Sequence, residues 1–247
     1  MWTSLGPPPT GADPGIWIGV GIGTGADPDS LILMTDVGII GGHGKVALLL
    51  EPLLIQAGHQ VTGIIRRPDQ AGDVAATGAT PVVADIERRS TAEIAELIGG
   101  FDALVWSAGA GGGNPERTWA VDRDAAIRSI DAAGQAGVDR YLMVSYFGAG
   151  AEHGVPPEDS FYPYAEAKSL ADAHLAGTEL GWTILRPSGL TPQAPTGRIE
   201  TGDGVQPGSV SRGNVAAVIA ASLDLPSTIG RTIEFNDGAI PIRVALG

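Results

Sequence analysis

Cysteine is absent from the 247 residues. That excludes disulfides, thiol nucleophiles and cysteine-ligated zinc. It suits a reducing cytoplasm, which is the expected location. Basic residues are scarce: 15 Lys and Arg stand against 28 Asp and Glu, a formal charge of −13. No basic stripe offsets this, so a nucleic-acid partner is not expected. Histidine is also sparse. His43, His59, His153 and His174 show no His-x-x-x-His spacing, and no metal site is expected. No apolar run reaches the roughly 18 residues of a membrane span, so no membrane partner is expected. Lysine is the scarcest charged residue, with only Lys45 and Lys168.

The length suits one α/β domain with a sizeable core. Residues 1–33 are rich in Gly and Pro and lack both a basic n-region and an uninterrupted apolar stretch. Residues 1–35 therefore read as a disordered or non-native N-terminal extension. The run Gly19-Val20-Gly21-Ile22-Gly23-Thr24-Gly25 imitates a nucleotide loop. Pro28 and Asp29 follow where a helix should open, so it reads as a decoy.

From Asp36 onward, apolar runs of strand length alternate with helical stretches. The pattern predicts strands at 37–40, 61–65, 80–84, 103–107, 141–145, 183–186 and 232–235. It predicts helices at 46–57, 70–77, 91–98, 122–136, 164–175 and 214–223. This is the signature of βαβ units: a Rossmann-type doubly wound, mostly parallel sheet with helices on both faces, over residues 36–247. Pro52 should kink the first helix. The Pro- and Gly-rich stretch around 187–210 is the expected substrate lid.

The turn Gly41-Gly42-His43-Gly44-Lys45-Val46-Ala47 follows a predicted strand and opens a predicted helix. In that context Gly41 allows a tight turn, Gly44 lets backbone approach a pyrophosphate, and Ala47 permits close helix–strand packing. The second strand ends in Arg66 and Arg67 with no acid, which suits the 2′-phosphate of NADP better than the ribose of NAD. Asp85 and Ile86 follow the third strand, where Asp85 either meets an adenine edge or is a solvated turn residue. Ser107, Ala108 and Gly109 end the fourth strand and let backbone lie against a flat cofactor. Ser145 ends the fifth strand, at the edge where open α/β sheets bind ligands. Tyr164-Ala165-Glu166-Ala167-Lys168 puts a phenol and an ammonium on one helix face. Such a pair arises by chance in roughly 3% of chains with this composition. The nearby ammonium is expected to lower the tyrosine pKa and fit it for proton transfer.

These motifs resemble the short-chain dehydrogenase/reductase superfamily. More narrowly, the chain is similar to the atypical NAD(P)H-binding branch that includes NmrA-like regulators, flavin and biliverdin reductases and sugar-epimerase-like proteins. The stretch Trp182 to Leu190 resembles the family's sixth strand and the turn beside the nicotinamide, which implicates Pro187, Ser188 and Leu190. Ser211 to Ala216 resembles the start of its late helix. The resemblance implies that Tyr164 is the acid/base, that Lys168 tunes it and holds the nicotinamide ribose, and that Ser145 orients the substrate. Asp122 occupies the place of the family's active-site asparagine. The expected cofactor is NADP(H) in preference to NAD(H), and the expected partner a small carbonyl, alcohol or enone. A nucleotide-sugar epimerase or dehydratase, or a non-catalytic NADP(H) sensor, are the alternatives, and a homodimer is left open.

Overall fold

The computed structural model describes residues 35–111 and 114–247. The expected extension and the decoy glycine run lie outside the described residues, except for Thr35.

The chain alternates strand and helix. β1 (Asp36–Ile40), α1 (Ala47–Gln56), β2 (Gln60–Ile65), α2 (Ala71–Ala76), β3 (Thr80–Val83), α3 (Thr91–Ile98) and β4 (Ala103–Trp106) form the first half. A helical run then passes through α4 (Pro115–Thr118), a π-helical segment Trp119–Ala125 and α5 (Ala126–Ala136). β5 (Arg140–Val144), α6 (Tyr162–Ala176) and β6 (Gly181–Pro187) follow. The remainder is β7 (Gly189–Thr191), β8 (Arg198–Thr201), β9 (Ser209–Ser211), α7 (Arg212–Asp224), β10 (Arg231–Asp237), β11 (Ile240–Pro241) and α8 (Ile242–Leu246).

The main sheet runs β11-β8-β10-β6-β5-β4-β1-β2-β3. Every pairing from β10 to β3 is parallel. β8 and β11 close the far edge antiparallel. β1 pairs β2 on one side and β4 on the other, so the winding reverses between β1 and β4. In such sheets that reversal opens a crevice at the carboxyl ends of the strands.

Alternate strand residues supply two cores, because successive side chains point to opposite faces. Val37, Ile39 and Val105 pack with Leu50 and Leu54 of α1 and with Val215 and Ile219 of α7. Ile40, Leu104, Trp106 and Tyr141 pack with Ile94 and Ile98 of α3, Ile130 of α5 and Leu175 of α6. Helices thus cover both faces, as the strand pattern predicts. Among the described residues no helix is long and apolar enough to cross a membrane.

Two local expectations need correction. Helix 122–136 begins earlier: Asn114 Oδ1 accepts the Arg117 N–H at 3.0 Å and Pro115 takes the first turn, so the run opens at Pro115. Helix 70–77 is preceded by a 3-10 turn, Pro68–Gln70, because Pro68 sits at its first position. The lid stretch is not irregular throughout. β7 pairs β9 in a small parallel sheet, and β8 joins the main sheet through Glu200 opposite Asn236. α1 runs through Pro52 to Gln56.

Candidate functional site

The site has two ends, and the first is built from backbone. Gly41 has φ +85°, in the left-handed region open to glycine. The N–H groups of Gly41 and Gly42 both donate to the Ile64 carbonyl at 3.0 Å, fastening the turn to the end of β2. A Cβ on Gly42 would lie 2.7 Å from the Gly63 Cα, and one on Gly41 would lie 2.7 Å from the Ala108 Cα. The glycines therefore let three strand ends meet. α1 opens with no side-chain cap and no acid in its first turn. Its positive end suits an anion.

Beside this turn lies a pocket of about 240 Å³. Gly41, His43, Gly44 and Arg66 line it on one side, Asp85 and Ile86 on the other, and Ser107, Ala108 and Gly109 form its inner end. Arg66 faces it; Arg67 does not line it and instead lies 3.2 Å from Asp69 Oδ1. The expected arginine pair is thus reduced to one. His43 is fixed between Asp73 Oδ2 at 2.7 Å and Gln70 Nε2 at 3.2 Å. Asp85 lies 3.4 Å from Arg88. Arg117, which sequence reasoning missed, also lines the pocket; it lies 3.4 Å from Glu87 and donates to the Ala110 carbonyl. The signal for it was the Asn114-Pro115 helix start.

The second end is a larger cleft of about 940 Å³, continuous with the glycine turn at Gly44, Lys45 and Val46. Asp122, Ser145, Tyr164 and Lys168 line it, as do Pro187, Ser188 and Leu190 after β6. The four expected catalytic side chains are therefore brought together. Lys168 is buried, donates to the Val144 carbonyl at 2.7 Å, and lies 4.0 Å from Asp122 Oδ1. Asp122 Oδ2 accepts the Ala110 N–H at 3.0 Å, while its Oδ1 is buried without a hydrogen-bond partner among the described residues. The π-helical segment is what carries Asp122 to this point. Tyr146, Phe161 and Tyr164 form an aromatic cluster with ring centroids 5.3–5.4 Å apart.

Electrostatics correct one expectation. Burial pushes the Tyr164 phenol well above its ordinary range, and the Asp122 carboxylate, Tyr146 and Asp172 add to that rise. Lys168 does not reverse it, because its ammonium is turned to Val144 and Asp122. Burial also raises Asp122, against the opposing pull of Lys168, the Ala110 N–H and Arg117.

Behind the cleft wall lies a network that no motif announced. Ser145 Oγ donates to Asp172 Oδ2 at 2.8 Å, and Arg186 Nε donates to the same oxygen at 3.0 Å. Arg186 also lies 3.6 Å from Glu234 Oε1, which accepts the Gly148 N–H at 3.0 Å. Burial raises the Asp172 carboxyl, opposed chiefly by Arg186. Among the described residues no group of three His, Cys, Asp or Glu is placed to hold a metal ion.

Residues 41–226 match the family described as NAD(P)H-binding. The chain is 34% identical over 210 residues to the "Uncharacterized sugar epimerase YhfK" of Bacillus subtilis, covering 84% of this chain and 97% of that one. Among solved structures, it is similar to the "Putative NAD-dependent epimerase/dehydratase" of Bacillus halodurans, with 31% identity, TM-score 0.79, and 86% and 98% of the two chains covered. It is also similar to the oxidoreductase ylbE of Lactococcus lactis, with 28% identity, TM-score 0.74, and 85% and 94% covered.

Proposed function

The chain belongs to the NAD(P)H-binding family, in the atypical short-chain dehydrogenase/reductase group, and from that premise we propose an NADP-dependent oxidoreductase acting on a small carbonyl, alcohol or enone. The observation that supports this most is the shared cleft. The glycine turn at Gly44 and Lys45 and the pair Tyr164 and Lys168 line one continuous space.

The residues fit such a cofactor. The uncapped N-terminus of α1, with the backbone of Gly41 to Val46, suits a diphosphate. Arg66, with no acid at the end of β2, suits a 2′-phosphate. Asp85 and Ile86 flank the adenine side, Ser107 to Gly109 support the centre, Lys168 takes the ribose, and Pro187, Ser188 and Leu190 border the nicotinamide end. Bound there, NADP(H) supplies or takes up the hydride.

The protein's own part is proton transfer. Tyr164 is a phenol at neutral pH, and burial holds its pKa above the ordinary range. In the reducing direction it would be the acid, its proton passing to the substrate oxygen to give an alcohol. Lys168, held by the Val144 carbonyl and Asp122, lines the same cleft. Residues 36–247 form the working domain in this reading, and a version lacking residues 1–33 should bind NADPH as the full chain does.

The names of the Bacillus relatives favour a second reading, transient oxidation within a sugar epimerase or dehydratase. One screen separates the readings. Small carbonyls, quinones, flavins and nucleotide sugars are offered with NADPH while its absorbance is followed. Substrate-dependent loss of NADPH supports the oxidoreductase. Sugar conversion without net NADPH loss supports the epimerase. Tight NADPH binding with neither supports a sensor.

A further inference from the structure

Asp172 sits on α6, one turn beyond Lys168, and is 2% exposed. It does not line the cleft, but Ser145 does. A serine hydroxyl has one proton to give. Here that proton goes to Asp172 Oδ2 at 2.8 Å, the oxygen that also accepts from Arg186 Nε at 3.0 Å. Arginine only donates, so Oδ2 is an acceptor. The direction holds for the ionised acid, which only accepts and which the ion pair with Arg186 favours. Glu234 keeps Arg186 in place from the far side at 3.6 Å.

Ser145 therefore shows only lone pairs to the cleft. A substrate carbonyl also offers only lone pairs, so the two cannot bond. The resemblance implies that Ser145 orients the substrate, and the hydrogen-bond direction makes it do so as an acceptor. We propose that Asp172 is a positioning residue that fixes Ser145 as an acceptor, and that the ligand group seated against Ser145 is a donor, a hydroxyl or an N–H. This rests on the cleft being the substrate site. The reacting carbonyl oxygen is then left to Tyr164. The substrate class narrows to carbonyl compounds with a hydroxyl or N–H near the reacting carbon, or to their alcohols.

The test uses cyclohexanol and cyclohexanone, which match in ring and size but differ in the donor. Each is titrated into the full chain saturated with NADP⁺, and the amide signals of Ser145 and Tyr146 are followed by NMR. Cyclohexanol should bind on the order of five- to tenfold more tightly, the difference between a made and an unmade hydrogen bond. Asp172→Ala removes the acceptor and frees the Ser145 proton. It should raise cyclohexanone affinity and leave cyclohexanol within about twofold. A purely structural role for Asp172 would not shift one probe relative to the other. Ser145→Ala should erase the discrimination, which keeps the test decisive if Asp172→Ala fails to fold. Equal binding of both probes to the wild-type protein, an unchanged ratio in Asp172→Ala, or no shift at Ser145 with either probe would overturn the proposal. If NADP⁺ does not bind, the cofactor reading fails separately, and the same titration of the free protein still decides the polarity of Ser145.

Discussion

The dinucleotide end and the substrate end of the cleft are held by different kinds of bond. At the first, Gly41 and Gly42 give their N–H groups to the Ile64 carbonyl and press against Gly63 and Ala108. The binding surface there is main chain, and the side chains matter chiefly by being absent. At the second, Asp122 faces Lys168, and Asp172 is held by Ser145 and Arg186. Those charges are buried and each depends on a neighbour. A backbone cradle tolerates changes of charge but not of volume. A buried charge network tolerates neither the loss of a partner nor a change of its proton inventory.

Substitutions separate the two ends. The largest effect belongs to Tyr164→Phe, which removes one hydroxyl and should lower turnover by about 10²–10⁴ while NADPH affinity and melting temperature hold. Steady-state assay beside a fluorescence titration checks both halves. Arg186→Met leaves Asp172 buried without its cation. It should cost about 3–5 kcal/mol, read as a fall in melting temperature of roughly 2–4 °C per kcal/mol. A fall of only a degree or two would mean that the network contributes little. At the other end, Arg66→Ala should weaken NADPH binding about ten- to a hundredfold and leave NADH unaffected. Arg67→Ala, whose side chain is engaged by Asp69, should change neither. Calorimetry with both cofactors decides. Gly42→Ala drives a Cβ to 2.7 Å from the Gly63 backbone, which has no flexible side chain to give way. It should cost about 1–3 kcal/mol and weaken both cofactors alike.

The smallest effect is one of pH. Glu51, on α1 beneath the glycine turn, is pushed up from 4.5 to about 7 by burial, with the Thr77 hydroxyl and His43 opposing. The folded chain thus holds this proton where the unfolded chain has lost it. Stability from this group is full below pH 4.5 and is lost as pH rises to about 7. The loss should be on the order of 1–2 kcal/mol. Glu51→Gln should flatten melting temperature across that window. An equal slope in both proteins would assign the pH dependence elsewhere.

What was legible in the sequence follows the same division. The glycine turn could be read because only glycine allows φ +85° at Gly41 and the close approach at Gly42. Helix α3 lies where the pattern put it, and Ser90 and Glu93 cap each other across its first turn. Tyr164 and Lys168 were legible because their spacing is helical. Asp172 and Arg186 were not: they come from different elements, and only the pairing of β5 with β6 brings Ser145 between them. Two signals were available, a charge inside the apolar run of β6 and an acid one helical turn beyond Lys168. The strands within the lid stretch are three or four residues long, too short to show a period. Asp122 was found through the resemblance, but its approach to Lys168 depends on a π-helical segment that carries no sequence mark.

The central claim is that a hydride crosses between the two ends. The most direct measurement is label transfer. NADPH deuterated at the transferable position of the nicotinamide is incubated with the wild-type protein and the carbonyl screen, and the products are weighed by mass spectrometry. The account predicts an alcohol or saturated product that carries the deuterium, formed by the wild-type protein and sharply reduced in Tyr164→Phe. NADPH bound tightly by both proteins, with no deuterium in any product of either, would contradict it.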